Sequence, residues 1–376
     1  MSEAAQPAVP SPADHWKSLL KTEGAFLLLA AGHLPLLILY YFWGSTALWT
    51  RTHYQFFPFA LLLFGGLLYK RQSTEPMAWG KLSMLLVGLD VILLMGAILI
   101  ISPWLAVVAA CCGWAAWCLA AGDAGYRRRL TYLMLLPVLT IRLPQEGDTE
   151  LIHAMQAITT KVASRLLMHL EYFHHQAGNV LHFPGQEFLV EEACSGVQSL
   201  FTTLFLAAVI ICWRRRSLVH GLLLLASAAL FSGIMNVVRI MTIAIAWEEW
   251  QLDLAHGIQH DILGYSCLAI ASLMLLSGDS FLYFLSSPVP DVRRPGPVAL
   301  FRNPFIAAWN WCFVVQPMMP GQEGLTAPSS SPDAETAATP LMHRKPTRIL
   351  LSTLAAIVVI AALVRVFGPA IDFGLK

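Results

Sequence analysis

The chain has 376 residues, of which 57% are hydrophobic and only 12% are charged. Soluble domains carry roughly 25% charged residues, so the composition excludes a soluble globular protein and defines an integral membrane protein. The formal net charge of +1 gives no electrostatic case for a nucleic-acid partner, and seven cysteines in a chain this long do not make a disulfide framework.

In chain order, residues 1–20 are rich in Ala, Pro and Ser and read as a disordered tail. Apolar runs follow near 24–43, 55–69, 82–101, 103–121, 129–143, 196–213, 218–246, 261–284 and 349–367. They are judged against the ~20 residues that cross a bilayer core; the second and fifth are short. The first run lacks a small-residue cleavage site and reads as an uncleaved helix. The fourth holds Gly113 and several alanines, a composition that permits close helix packing. Cys111, Cys112, Cys118, Cys212, Cys267 and Cys312 lie in or beside apolar runs and read as small packing residues.

Orientation follows from the placement of basic residues. Lys17 and Lys21, then Lys70, Arg71 and Lys81, then Arg127, Arg128 and Arg129, then Arg214, Arg215 and Arg216, and last Arg293, Arg294, Arg344, Lys345 and Arg348 fall in alternate loops. Nine spans with a cytoplasmic N-terminus put every cluster inside. The expected fold class is all-α: a polytopic membrane protein of about nine transmembrane helices.

The longest outer loop runs over 142–194. Its first half places Leu151, Met155, Ile158, Val162, Leu166 and Leu170 at spacings of three and four, the pattern of an extracytoplasmic amphipathic helix on the membrane surface. Its second half has two short alternating stretches around Gly178-Asn179, which read as a small hairpin before the cysteine, with Pro184-Gly185 as a further turn. Residues 321–340 are rich in Pro, Ser, Thr and Ala and read as a flexible linker. The expected organisation is a disordered cytoplasmic tail over 1–22, a membrane domain over 23–285, a cytoplasmic linker over 286–346, and a C-terminal membrane helix with a short tail over 347–376.

Three residues carry chemistry at one expected face of the membrane. Cys194 precedes the sixth run, where a helix N-terminus favours the thiolate and offers N–H groups to an oxyanion. The alternative is a small interfacial cysteine without a role. Arg239 lies inside an apolar run, with Asn236 one turn before it on the same face. A charge there is expensive and marks a functional site by default; the alternative is an arginine snorkelling to the headgroups. His260 opens the eighth run, with Gly264 one turn on, and can shuttle a proton near neutral pH. His256, His260 and Asp253 or Asp261 form an alternative metal set. His174, His175 and His182 read as surface residues.

Three blocks in this order resemble the exosortase family of bacterial membrane cysteine transpeptidases: VEEACSGVQSL at 190–200, NVVRI at 236–240 and HDILG at 260–264. The likeness covers roughly 25–285, with a weaker early block around 49–64. It implies Cys194 as nucleophile, Arg239 as the essential basic residue and His260 as the proton shuttle. Asn236, Ser195, Gly196, Gln198, Gly264 and Glu192 are placed as residues supporting the site or the substrate. Gln198 departs from the arginine that family members commonly carry four residues after the cysteine. The implied substrates are exported proteins with a C-terminal signal made of a Pro-Glu-Pro-like motif, a membrane helix and a basic tail. The implied location is the bacterial inner membrane with the site on its periplasmic face. No cofactor, metal or nucleic acid is expected; membrane lipid is. The rival readings are a transporter or flippase with a polar intramembrane site, and a hydrolase that ends in water rather than transfer.

Overall fold

A computed structural model describes residues 12–43, 47–71, 78–121, 130–144, 147–189, 197–285 and 305. The described chain is mostly helical. Its helices are α1 (Pro12–Tyr41), α2 (Phe57–Arg71), α3 (Lys81–Ile100), α4 (Pro103–Ala120), α5 (Leu135–Val138), α6 (Gly147–His169), α7 (Val197–Arg214), α8 (Leu218–Trp250) and α9 (Gly257–Leu285). A small sheet of β1 (His175–Ala177), β2 (Val180–Phe183) and β3 (Gln186–Leu189) lies between α6 and α7 in sequence.

Six helices among the described residues are long and apolar enough to cross a membrane: α3, α4, α7, α8, α9 and the Gly24–Tyr41 part of α1. This is a multi-pass membrane protein. Of the nine expected runs, six are these helices, two differ among the described residues, and the last is outside them. α2 has 15 residues, about 22 Å of helix against a core of about 30 Å. The run at 129–143 forms a 3-10 turn (Tyr132–Met134) and the four-residue α5. Pro137 has no N–H for the Leu133 carbonyl and its ring clashes with that carbonyl, so a regular α-helix does not run through this stretch. The run at 349–367 lies outside the described residues, as does nearly all of the expected linker. α1 starts at Pro12, so residues 12–22, expected within a disordered tail, have helical backbone.

The described chain forms two compact units, the first from residues 12–50 and 64–141, the second from 51–63 and 142–285. In the first, α3 and α4 pack as a hairpin and α1 lies along α4. Ile101 in the left-handed region (φ 51°) ends α3, and the Ser102 hydroxyl caps α4 by accepting from the Leu105 N–H at 3.3 Å. Lipid tails are as apolar as leucine, so close approach and polar contacts hold such helices. Ala106, Ala109, Ala110, Gly113 and Ala116 are buried on α4, as its composition predicts.

Inside this unit His33 and Asp90, both buried, meet at 2.8 Å. The other imidazole nitrogen, Nδ1, is 3.0 Å from the Leu29 carbonyl, which can only accept. The bond to Asp90 therefore needs a proton between Nε2 and Oδ1, so the pair is net neutral whichever atom carries it. Gly113 makes room for it, since a Cβ there would lie 2.5 Å from Asp90 Oδ2.

In the second unit α7, α8 and α9 pack on one another and α6 lies against α8. The turn from α7 to α8 places Arg215 at φ 54°, and the Ser217 hydroxyl caps α8. At that end Asp279 of α9, fully buried, accepts from Arg214 at 2.6 Å and from Arg216 at 2.6 and 2.8 Å, and lies 2.8 Å from His220 Nε2. The Arg216 guanidinium also sits 4.6 Å over the Tyr283 ring.

The expected amphipathic helix and hairpin both form. The sheet is antiparallel in the order β1-β2-β3, turning at Gly178-Asn179 and again at Pro184-Gly185. Gly178 and Gly185 take positive φ (61° and 85°), the conformation that glycine supplies at least cost. Leu181, Phe183 and Phe188 of the sheet share a core with Ala163 and Leu167 of α6 and with Val237, Ile240, Ile243 and Ala244 of α8. The apolar stripe read from the sequence of α6 faces outward: Ile158, Val162, Leu166 and Leu170 are exposed, whereas Ile152, Thr160, Ala163 and Leu167 are buried.

Candidate active site

α8 is one continuous helix of 33 residues, about 50 Å long. It brings Asn236 and Arg239 up to its final third, beside the sheet core and the first turns of α9. α9 begins at Gly257, which takes φ 69°, so His260 falls in its first turn and His256 precedes it.

Arg239 Nη2 donates to His260 Nε2 at 2.7 Å, with a longer contact to the His260 carbonyl at 3.5 Å. His260 Nδ1 lies 3.1 Å from the Leu254 carbonyl. A carbonyl only accepts and a guanidinium only donates. Nδ1 therefore carries the hydrogen and Nε2 keeps its lone pair: a neutral imidazole in a fixed tautomer, with its basic nitrogen held beside a fixed cation.

Gly264, one turn along α9, lies under the guanidinium. A Cβ at this position would come within 2.9 to 3.4 Å of Arg239 Nη2, Cζ and Nη1. The glycine is thus the surface on which the arginine lies flat between α8 and α9.

These residues border a cavity of about 140 Å³ between α7, α8 and α9. Gln198, Ser199 and Thr202 line it from the start of α7, Ser232 and Asn236 from α8, and Asp261 and Tyr265 from α9. Its floor includes Met235, Cys267 and Ala271, which form a small apolar cluster. The Ser199 and Ser232 hydroxyls are 3.3 Å apart across it.

Of the sequence-derived site residues, the structure brings together Arg239, His260, Asn236, Gln198 and Gly264. Cys194, Glu192, Ser195 and Gly196 lie outside the described residues, which resume at Val197, the first residue of α7. The alternative metal set is not assembled: His256 pairs with Asp253 at 2.9 Å, whereas His260 faces Arg239. Among the described residues no three His, Cys, Asp or Glu side chains cluster with metal-binding geometry. His174, read as a surface residue, bonds Ser164 of α6 at 2.8 Å and stacks on Phe183, so it ties the sheet to α6.

Sequence reasoning passed over Asp90 and Asp279. Both are acidic residues inside apolar runs, and the cost argument that singled out Arg239 applies to them equally.

A multi-pass helical membrane protein with a half-buried arginine–histidine couple at a cavity defines the class. The family model for transmembrane exosortases matches residues 32–277, about two thirds of the chain. The chain belongs to the transmembrane exosortase family. No curated protein and no solved structure matches it.

Proposed function

We propose that this chain is a cysteine transpeptidase of the bacterial inner membrane. In this reading it removes C-terminal sorting signals from exported proteins at the periplasmic face and passes the new carboxyl end to an acceptor through a thioester. The observation that carries the proposal is the 2.7 Å bond between Arg239 and His260 at a cavity bordered by the first turn of α7. In the sequence Cys194 precedes Val197, the first residue of α7, by three residues. The outward apolar stripe of α6 supports a helix resting on the bilayer surface.

In this mechanism Arg239 first releases His260 Nε2, whose freed lone pair takes the proton of the Cys194 thiol, and the thiolate attacks the scissile carbonyl. As charge develops on the carbonyl oxygen, Arg239 turns N–H groups toward it. The carbon–nitrogen bond breaks, and the imidazolium gives its proton to the leaving amine. The substrate's acyl part remains on sulfur as a thioester. An acceptor nucleophile then loses a proton to Nε2 and attacks the thioester; the departing thiolate recovers that proton. The substrate signal is a Pro-Glu-Pro-like motif, a membrane helix and a basic tail, whose helix would lie beside the enzyme and leave the motif at the interface.

The test is cleavage in cells of a tagged protein carrying this tripartite tail. The unchanged enzyme is expected to remove the tail and Cys194→Ala to leave it in place, with hydroxylamine converting the intermediate to a hydroxamate. Tail removal without the thiol would overturn the mechanism. Absence of cleavage by both proteins would overturn the substrate reading and favour a transporter instead.

A further inference from the structure

Asn236 is buried, and among the described residues neither its carboxamide oxygen nor its nitrogen has a hydrogen-bond partner. Leaving such a group unmade is costly, and a native chain that keeps one does so for a reason. The side chain lines the cavity bordered by Arg239 and His260. A cavity of about 140 Å³ is close to the roughly 150 Å³ that holds a benzene molecule, so it admits about one small residue of an extended chain and not a helix.

The unmatched atoms specify the chemistry of the occupant. A cation needs acceptors only, and a carboxylate needs donors only; Asn236 holds out one of each kind. A peptide group presents the complement, one N–H and one C=O. The hydroxyls of Ser199 and Ser232 are 3.3 Å apart, within hydrogen-bonding range of one another; among the described residues lining the cavity, Asn236 is the buried carboxamide with both functions unmet.

We propose that Asn236 is a substrate-positioning residue that binds the main chain of the peptide next to the scissile bond, accepting from an N–H and donating to a C=O. The inference rests on the transpeptidase reading and adds the element of that site that reads backbone rather than side chains. Binding main chain fixes the register of the scissile carbonyl against Arg239 and tolerates changes in the substrate's side chains.

The experiment uses the full-length protein in nanodiscs and synthetic peptides carrying a Pro-Glu-Pro motif followed by an apolar segment. In each peptide one amide flanking the scissile bond, and never the scissile bond itself, is replaced by an ester, which removes one N–H. For the unchanged enzyme one ester position is expected to lower kcat/KM about tenfold, the size of one lost hydrogen bond to a buried group. Asn236→Ala is expected to lower kcat/KM about tenfold on the all-amide peptide and to show no further loss at that ester position. Asn236→Leu, which keeps a similar shape and removes both donor and acceptor, gives the same pattern and serves where the alanine variant does not fold. An equal loss on every ester peptide would overturn the proposal, since Asn236 would then position the enzyme's own chain. Unchanged kinetics would overturn it as well. Absence of any Cys194-dependent cleavage by the unchanged enzyme would remove the transpeptidase reading and this inference with it.

Discussion

Arg239 and His260 meet because a glycine lets them. The guanidinium lies over Gly264 at distances a Cβ would invade, and the arginine's stem is flexible enough to give way rather than break the helix pair. Gly264→Ala is therefore expected to move the guanidinium off the imidazole with little effect on folding. The expected result is a loss of about tenfold or more in cleavage rate, as for a misplaced catalytic group, with an unchanged thermal unfolding midpoint in detergent. A fall in both together would make Gly264 a packing residue only. Gly113 differs in kind. Its neighbour Asp90 is buried and already bonded to His33, so the carboxylate there has no free path to retreat along.

At the scale of elements, polar ties set how the apolar helices sit. The Asp279 carboxylate collects two arginines and a histidine at the α7–α8 turn and binds that turn to α9. A second tie fixes the start of α6. Asp148 is fully buried in its first turn and accepts from Arg142 Nε at 3.1 Å, with His53 Nε2 at 3.7 Å. Burial pushes its carboxyl up, but the Arg142 hydrogen bond and the charges of Arg142 and Arg51 outweigh this and hold it below the usual carboxylate range. The unfolded carboxyl titrates near the ordinary value of about 3.9. Between the folded and unfolded values the unfolded chain binds more protons, so stability rises with pH. The contribution is complete above about pH 5 and is lost as pH falls through 3.9 toward the depressed folded value. Limited proteolysis is expected to release the α6 segment faster at pH 3 than at pH 5 in the unchanged protein, with a smaller difference in Asp148→Asn. An equal difference in both proteins would assign the acid sensitivity to other carboxyls.

For the whole molecule, the paths of α7, α8 and α9 put the Arg214–Asp279 end and the Arg239–His260 end at opposite ends of the same bundle. The basic turn is expected on the cytoplasmic side. A phosphatase reporter fused at 215 is expected to be inactive and one fused at 253 to be active; the reverse pattern would invert the orientation and place the site in the cytoplasm. The outward stripe of α6, with Ile158 61% exposed, agrees with a helix that gives its apolar side to lipid and its Thr160–Ala163 side to the protein.

The sequence by itself determined the membrane class, the long helices, the hairpin and the residues worth suspecting. These depend on local properties: runs of apolar residues, turn-forming glycines, and the cost of a charge in lipid. It singled out Arg239, His260 and Asn236 as candidates because ionisable and polar groups stand out against an apolar helix. It did not give the partners. His33 and Asp90 are 57 residues apart, and Arg216 and Asp279 are 63 apart; no local pattern joins them, since which helix faces which is settled by packing. The same holds for α6, whose apolar stripe was legible while the side it turns to the protein was not. Hydropathy also gave two runs more helix than their described residues hold, because an average over a window does not register that Pro137 interrupts the helix or that α2 has only 15 residues. Tertiary structure alone decided that one guanidinium would meet one imidazole over a glycine, because that contact needs two helices at one distance and one rotation.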